Sequence, residues 1–175
     1  FALIGVGGYI APRHLSAIKE TGNELKASFD MNDSVGILDK YFPEASFFTE
    51  FERFDRHIYK LFNNGPKEKI NYFSICSPNY LHDSHIRFAL RSEANVICEK
   101  PLVLNPWNID GIINLEKQTG CKVNTILQLR LHPAIRKLKD EIKKDFTSKK
   151  YEIELTYITS RGNWYLQSWK GDEKK

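Results

Sequence analysis

The chain has 175 residues, 41% of them hydrophobic and 13% aromatic, enough for one packed domain and the beginning of another. Lys plus Arg exceed Asp plus Glu by 26 to 22, and this net charge of +4 falls short of the concentrated basic footprint of a nucleic-acid binder, leaving anionic small molecules as partners. No stretch approaches the length of a membrane span and no basic and apolar leader opens the chain, while Cys76, Cys98 and Cys121 lie far apart in or beside apolar runs, as buried free thiols of a reducing compartment do; a cytoplasmic protein is expected.

Residues 1–4 read as a buried strand, 5–8 as a glycine turn and 11–21 as a helix with Leu15 and Ile18 on one face. Glycines in such a turn let the backbone approach a pyrophosphate, and the helix offers free N–H groups and a positive dipole end; an ordinary turn looks the same in isolation. A second strand, residues 25–30, ends in Asp30 at about the distance from the turn where a ribose-binding carboxylate is expected. An acid there accepts from ribose hydroxyls and repels a 2′-phosphate, which favours NAD over NADP. The alternative is an aspartate capping the next turn with Asn32 and Asp33.

A short helix over 34–41, a short strand over 47–49 and a helix over 51–62 follow, the last closed by Asn63-Asn64-Gly65-Pro66. Residues 70–76 form a fourth strand whose exit, Ser77-Pro78-Asn79-Tyr80-Leu81-His82, turns into a helix running to Arg91. Ser77, Asn79 and His82 are placed to line a nicotinamide and its ribose; the alternative is that Ser77 or Asn79 caps that helix and His82 is a partly buried side chain, and capping and ligand contact can coexist. His82 and His85 are three apart, but no third ligand accompanies them, so no metal is expected.

The fifth strand, ending at Val96-Ile97-Cys98, breaks into Glu99-Lys100-Pro101. A lysine at the end of a parallel strand stands at the mouth of the crevice where such sheets bind ligands, and Lys-Pro is a candidate cis bond; a plain turn lysine is the bland alternative. A helix over 106–118 leads through Gly120 to a sixth strand over 121–129. Six strands alternating with helices imply a doubly wound α/β parallel sheet, a Rossmann fold of order 3-2-1-4-5-6, in residues 1–128. Residues 134–146 are an amphipathic helix with a solvated charged face, and 151–159 alternate as a long strand outside the six-strand plan. A second α+β domain with an open sheet therefore begins at 129–175. The chain lacks an initiator Met and ends just after an aromatic stretch, which reads as a fragment.

Together these segments resemble the Gfo/Idh/MocA family of NAD(P)-dependent oxidoreductases. Within it the chain is most similar to the UDP-N-acetylglucosaminuronate 3-dehydrogenases of surface-polysaccharide (lipopolysaccharide O-antigen) synthesis, the WlbA/WbpB group. The resemblance rests on residues 5–14, Ser77-Pro78-Asn79-Tyr80-Leu81-His82, Glu99-Lys100-Pro101, Gln128-Leu129-Arg130 and Arg161-Gly162-Asn163-Trp164-Tyr165. It implies that Gly5, Gly7, Gly8, Tyr9, Ile10, Arg13, Asp30, Ser77, Asn79, His82, Glu99 and Gln128 hold NAD, and that Lys100 is catalytic beside nicotinamide and substrate. Lys100 would act either as an ammonium hydrogen-bonding the reacting oxygen or as a base.

Arg130 and Arg161 are candidates for the substrate's carboxylate or diphosphate, and Trp164, Tyr165 and Trp169 for its sugar or uridine. The resemblance further implies a nucleotide-sugar substrate, reoxidation of NADH by 2-oxoglutarate, and a homo-oligomer. Family members carry, farther along, a Gly-Gly…His motif whose histidine assists proton transfer. One departure is visible: Ile10 stands where the third fingerprint glycine belongs, so Ala11 would take its packing role. A dehydrogenase of a free sugar or cyclitol, and a non-catalytic NAD-binding regulator, are the other functions open to such a chain.

Overall fold

The computed structural model describes residues 1–33, 35–144, 150 and 152–167, and the chain divides into two compact units, Phe1–Ile126 and Leu127–Lys175.

Unit 1 is a six-stranded, all-parallel sheet of order β3-β2-β1-β4-β5-β6. Its strands are β1 (Ala2–Ile4), β2 (Ala27–Phe29), β3 (Ser46–Phe48), β4 (Tyr72–Ile75), β5 (Asn95–Cys98) and β6 (Val123–Thr125). Between them run α1 (Ala11–Glu20), α2 (Ile37–Tyr41), α3 (Phe51–Asn63), α4 (His82–Arg91) and α5 (Trp107–Thr119). This is the doubly wound order expected from the alternation of apolar runs and helical periods. Parallel strands need long crossovers, and helices supply them on both faces.

The two-residue period of the strands sorts side chains into two apolar layers. Ala2, Ile4, Phe73, Ile75, Val96 and Cys98 face one way, into a core shared with Phe54 and Ile58 of α3, Ile86, Ala89 and Leu90 of α4 and Ile112 of α5. Leu3 and Cys76 face the other way, against Ala11, Leu15 and Ile18 of α1 and Leu38 of α2. Phe51, Phe54 and Ile58 fall at helical spacing, and Phe54 is fully buried in an aromatic cluster with Phe29, Phe48, Phe73 and Phe88. At the end of α5, Gly120 adopts φ +74, the left-handed cap that glycine favours.

Most strands are a residue or more shorter or shifted against expectation, and two boundaries differ for a visible reason. The sixth strand stops at Thr125 rather than Leu129, because Leu127 leaves the extended ladder and Gln128–Leu131 close a 3-10 turn before Pro133. Pro106 caps α5 rather than opening it.

Unit 2 contains that 3-10 turn, α6 (Pro133–Lys144) and α7 (Trp164–Gln167). The long strand expected over 151–159 is absent from the described 152–159, where Ile153, Leu155, Tyr157 and Ile158 are largely exposed. A strand is held by hydrogen bonds to a neighbour, and no described segment of unit 2 provides one. Ser34, Phe146, Tyr151 and Trp169, named in the expected elements or site, lie outside the described residues. No helix among the described residues is long and apolar enough to cross a membrane.

Candidate active site

The chemistry-bearing residues of unit 1 collect where the strands end. β1 runs into Gly5, whose backbone N–H donates to Phe29 O at 2.8 Å, while the Cys76 N–H donates to Ile4 O at 2.8 Å and that of Glu99 to Ile75 O at 3.0 Å. The ends of β1, β2, β4 and β5 are thereby laced into one edge. The glycine turn is built into it. Gly5 has φ +88, and a Cβ there would lie 2.5 Å from Ser77 N and 2.6 Å from Cys76 C. Gly8 donates to Gly5 O, and Ala11 to Gly8 O, both at 3.1 Å.

No side chain caps the N-terminus of α1, and Pro12 in its first turn brings no N–H. Ala11 is fully buried against the sheet while Ile10 is half-buried ahead of it, so Ala11 fills the close-packing place that the displaced third glycine leaves. Tyr9 and Arg13 project to the surface.

Asp30 holds the turn that follows it and the glycine turn at once. Its Oδ2 accepts from Gly7 N and its Oδ1 from Asn32 N, each at 2.9 Å, so the carboxylate ties the glycine turn to the end of β2. Two of its roughly four lone-pair directions remain for ribose hydroxyls. Asp30 also lines a surface hollow with Met31, Asn32, Asp33 and Thr49.

The exit of β4 is a 3-10 turn, Asn79–Leu81, running into α4. Asn79 is half-exposed, whereas Ser77 is buried and its hydroxyl bonds His85 Nδ1 at 2.9 Å. His82 requires a correction. It is 0% exposed and does not line the crevice: Nδ1 donates to Pro101 O at 2.7 Å and Nε2 to Ser77 O at 2.9 Å. Its place is to clamp the β4 exit to the Lys100–Pro101 turn, whose peptide is cis.

Burial, with the neighbouring His82 charge second, lowers the pKa of His85 from 6.5 to about 4. A ring kept neutral in the fold but protonated in the unfolded chain contributes stability that is complete above pH 6.5. That contribution is lost progressively as the pH falls toward 4, by roughly 3 kcal/mol in all. Urea unfolding across this window is expected to show the decline, and His85→Gln a shallower one; equal slopes in the two proteins would refute the assignment.

Glu99 and Lys100 close the edge. Burial pushes the Glu99 carboxyl up, but the His14 hydrogen bond and charge, the Lys100 N–H and the Lys100 ammonium outweigh it and hold Glu99 below the usual carboxylate range. Its Oε1 accepts from His14 Nε2 at 3.0 Å and its Oε2 from Lys100 N at 3.3 Å. His14 Nδ1 reaches Ser74 Oγ at 2.7 Å. The Lys100 side chain is exposed at the crevice mouth.

His14 and Ser74 were missed as site residues in the sequence. The available signal was Ser74 itself, a hydroxyl at a strand position facing α1 that must find a partner once buried. Of the remaining candidates, Gln128, Arg130, Arg161, Trp164 and Tyr165 all belong to unit 2, where the Arg161 guanidinium stacks 5.2 Å from the centre of the Tyr165 ring.

A glycine turn whose added Cβ would strike backbone, an uncapped helix start and an acid with free acceptor sites fit a dinucleotide: amides and dipole for its pyrophosphate, carboxylate for its ribose. They define a dinucleotide-binding Rossmann domain. The chain belongs to the Gfo/Idh/MocA oxidoreductase family, whose NAD-binding Rossmann fold it matches over residues 1–126. NAD is the cofactor of that domain.

Over 100% of its length the chain is 49% identical to the WlbA (WbpB) dehydrogenase from Thermus thermophilus, in the complex of that protein with NAD and alpha-ketoglutarate, with a TM-score of 0.90. The complex of the Thermus dehydrogenase with NAD and UDP-GlcNAcA matches 99% of the chain at 49% identity and a TM-score of 0.89. In both, the chain covers 55% of the relative and so spans about half its length. The myo-inositol 2-dehydrogenase from Lactobacillus plantarum shares the fold, at 19% identity over 85% of this chain and 42% of its own, with a TM-score of 0.67.

Proposed function

We propose that the protein transfers a hydride from C3 of a UDP-linked N-acetylated glucosaminuronic acid to NAD, giving the 3-keto sugar, in the synthesis of surface polysaccharide. The observation that carries this is the 49% identity, along the whole chain, to a dehydrogenase crystallised with NAD and UDP-GlcNAcA. Bound NAD supplies the hydride acceptor.

The residues of unit 1 bind and orient. The Gly5–Gly7–Gly8 turn and the start of α1, with Tyr9, Ile10 and Arg13, receive the pyrophosphate, and Asp30 accepts from ribose hydroxyls. Ser77, Asn79 and Glu99 frame the nicotinamide end, with His82 holding their loops. Lys100 manages the proton of the C3 hydroxyl as negative charge develops on its oxygen, which is worth about a hundredfold or more in rate for a well-placed acid or base.

In unit 2, Gln128 contributes to the cofactor, Arg130 and Arg161 to the carboxylate or diphosphate of the substrate, and Trp164 and Tyr165 to its sugar or uridine. That unit begins the domain that covers substrate and joins copies into a homo-oligomer. NADH is returned to NAD by reduction of 2-oxoglutarate, the ligand found with NAD in the Thermus relative.

The test is the full-length protein incubated with UDP-N-acetylglucosaminuronate, NAD and 2-oxoglutarate and followed by mass spectrometry. A 3-keto nucleotide sugar and 2-hydroxyglutarate are expected. Absence of both products would sink the proposal, and turnover of a free sugar or cyclitol instead would replace the substrate.

A further inference from the structure

Among the described residues, the His14 side chain joins the helix opening at the glycine turn to the residue that follows β5 in Glu99-Lys100. It lies on α1, three residues into the helix, and crosses to two other elements: Ser74 on β4 at 2.7 Å and Glu99 after β5 at 3.0 Å. The His14 and Glu99 side chains are only 10% and 12% exposed, so water competes little for the pair. We propose that His14 is a positioning residue of the cofactor site, fixing Glu99 so that the pyrophosphate end and the nicotinamide end of the crevice are held in one register. This rests on Glu99 belonging to that site.

The hydrogen-bond inventory shows why histidine suits the place. An ionised Glu99 only accepts, so Nε2 must carry a proton. A neutral ring then accepts the Ser74 hydroxyl proton at Nδ1, while a cationic ring donates to Ser74 Oγ, which can turn its own proton toward Cys76 Sγ 4.0 Å away. In either state Oε1 of Glu99 is anchored and Oε2, bound by the Lys100 N–H, keeps a second lone pair. Ser74 acts as a support for the ring, and it is itself almost wholly buried, so its hydroxyl has no solvent to turn to.

The titratable and charged groups around Glu99 are His14 of α1, the Cys76 thiol just after β4, the Cys98 thiol of β5 and Lys100 beside it; His14 contributes the largest stabilisation of the carboxylate. Removing His14 should therefore bring Glu99 protonation into a higher pH range. Loss of stability alone would leave that pH dependence unmoved.

The experiment is calorimetric titration of NAD into the full-length protein and its His14→Ala, His14→Gln and Ser74→Ala variants from pH 7.5 to 4.5, with urea unfolding of each. His14→Ala is expected to bind NAD about tenfold more weakly at neutral pH, with the acid limb of binding displaced upward. His14→Gln, which keeps a donor for Oε1, recovers part of the affinity, and Ser74→Ala loses less than His14→Ala. Should His14→Ala not fold, His14→Gln and Ser74→Ala decide. Affinities within about twofold of the wild type and coincident acid limbs in every folded variant would overturn the proposal. The readout is NAD binding, so a wild type that binds NAD without oxidising a nucleotide sugar removes the substrate assignment and leaves the His14 result standing.

Discussion

Gly5→Ala is expected to abolish NAD binding and to remove about 3 kcal/mol or more of stability, measured by calorimetry with NAD and by urea unfolding. Two costs add. The backbone there has φ +88, which a residue with a Cβ rarely adopts, and the new methyl would sit 2.5 Å from Ser77 N, 2.6 Å from Cys76 C and 2.8 Å from Cys76 O. Those are main-chain atoms, with no rotamer to escape into. Cys76 is in turn held by its N–H to Ile4 O at 2.8 Å, so relief means parting β1 from β4 at the point where the cofactor's pyrophosphate is to lie.

A control separates strain from collision. Gly22 has φ +72 and nothing within 4 Å of its added Cβ, so Gly22→Ala bears the conformational term alone, about 1 kcal/mol, and retains NAD binding. If the two variants prove equally stable, the close approach of the glycine turn to β4 is wrong.

Lys100→Ala is expected to lower turnover of the nucleotide sugar by about a hundredfold to ten-thousandfold, with NAD affinity changed by no more than a few-fold. The side chain is exposed at the end of β5, and its backbone N–H, rather than its ammonium, is what bonds Glu99 Oε2. No described residue hydrogen-bonds the ammonium, so under the proposed function its loss would remove a transition-state contact without loosening the loop. Steady-state kinetics on the full-length protein, with NAD titrated separately, reads both quantities. Turnover within a few-fold of the wild type, with NAD still bound, would show that Lys100 is not catalytic and favour the non-catalytic regulator.

The sheet order was legible because each strand is announced locally. Short apolar runs such as Phe73 to Cys76 and Val96 to Cys98 are bounded by Gly, Pro or charge, and helical periods such as Phe51, Phe54 and Ile58 lie between them. The edge of the sheet that gathers the candidate residues followed from that order, as did the placing of Gly5, Asp30 and the Glu99-Lys100-Pro101 turn along it. What was illegible depends on partners distant in sequence. His82 reads as a crevice residue until Pro101, 19 positions on, is seen to accept its Nδ1–H. His14 and Glu99 are 85 positions apart, and nothing in either heptapeptide names the other. The alternation of residues 151–159 fixes which side chains share a face, but a strand also needs a neighbour, and alternation does not provide one.

The alternation along β4 carries a consequence for divergence. Phe73 and Ile75 belong to the layer under α3, α4 and α5, while Cys76 belongs to the layer under α1 and α2 and Ser74 turns to His14 of α1. Substitutions on the two sides of one strand thus meet disjoint sets of neighbours, and effects that share no partner add. The layer behind the aromatic cluster can drift by compensating exchanges among its own members without asking anything of the layer that carries His14. Epistasis in this domain should accordingly run within faces of the sheet and hardly at all between adjacent residues of a strand.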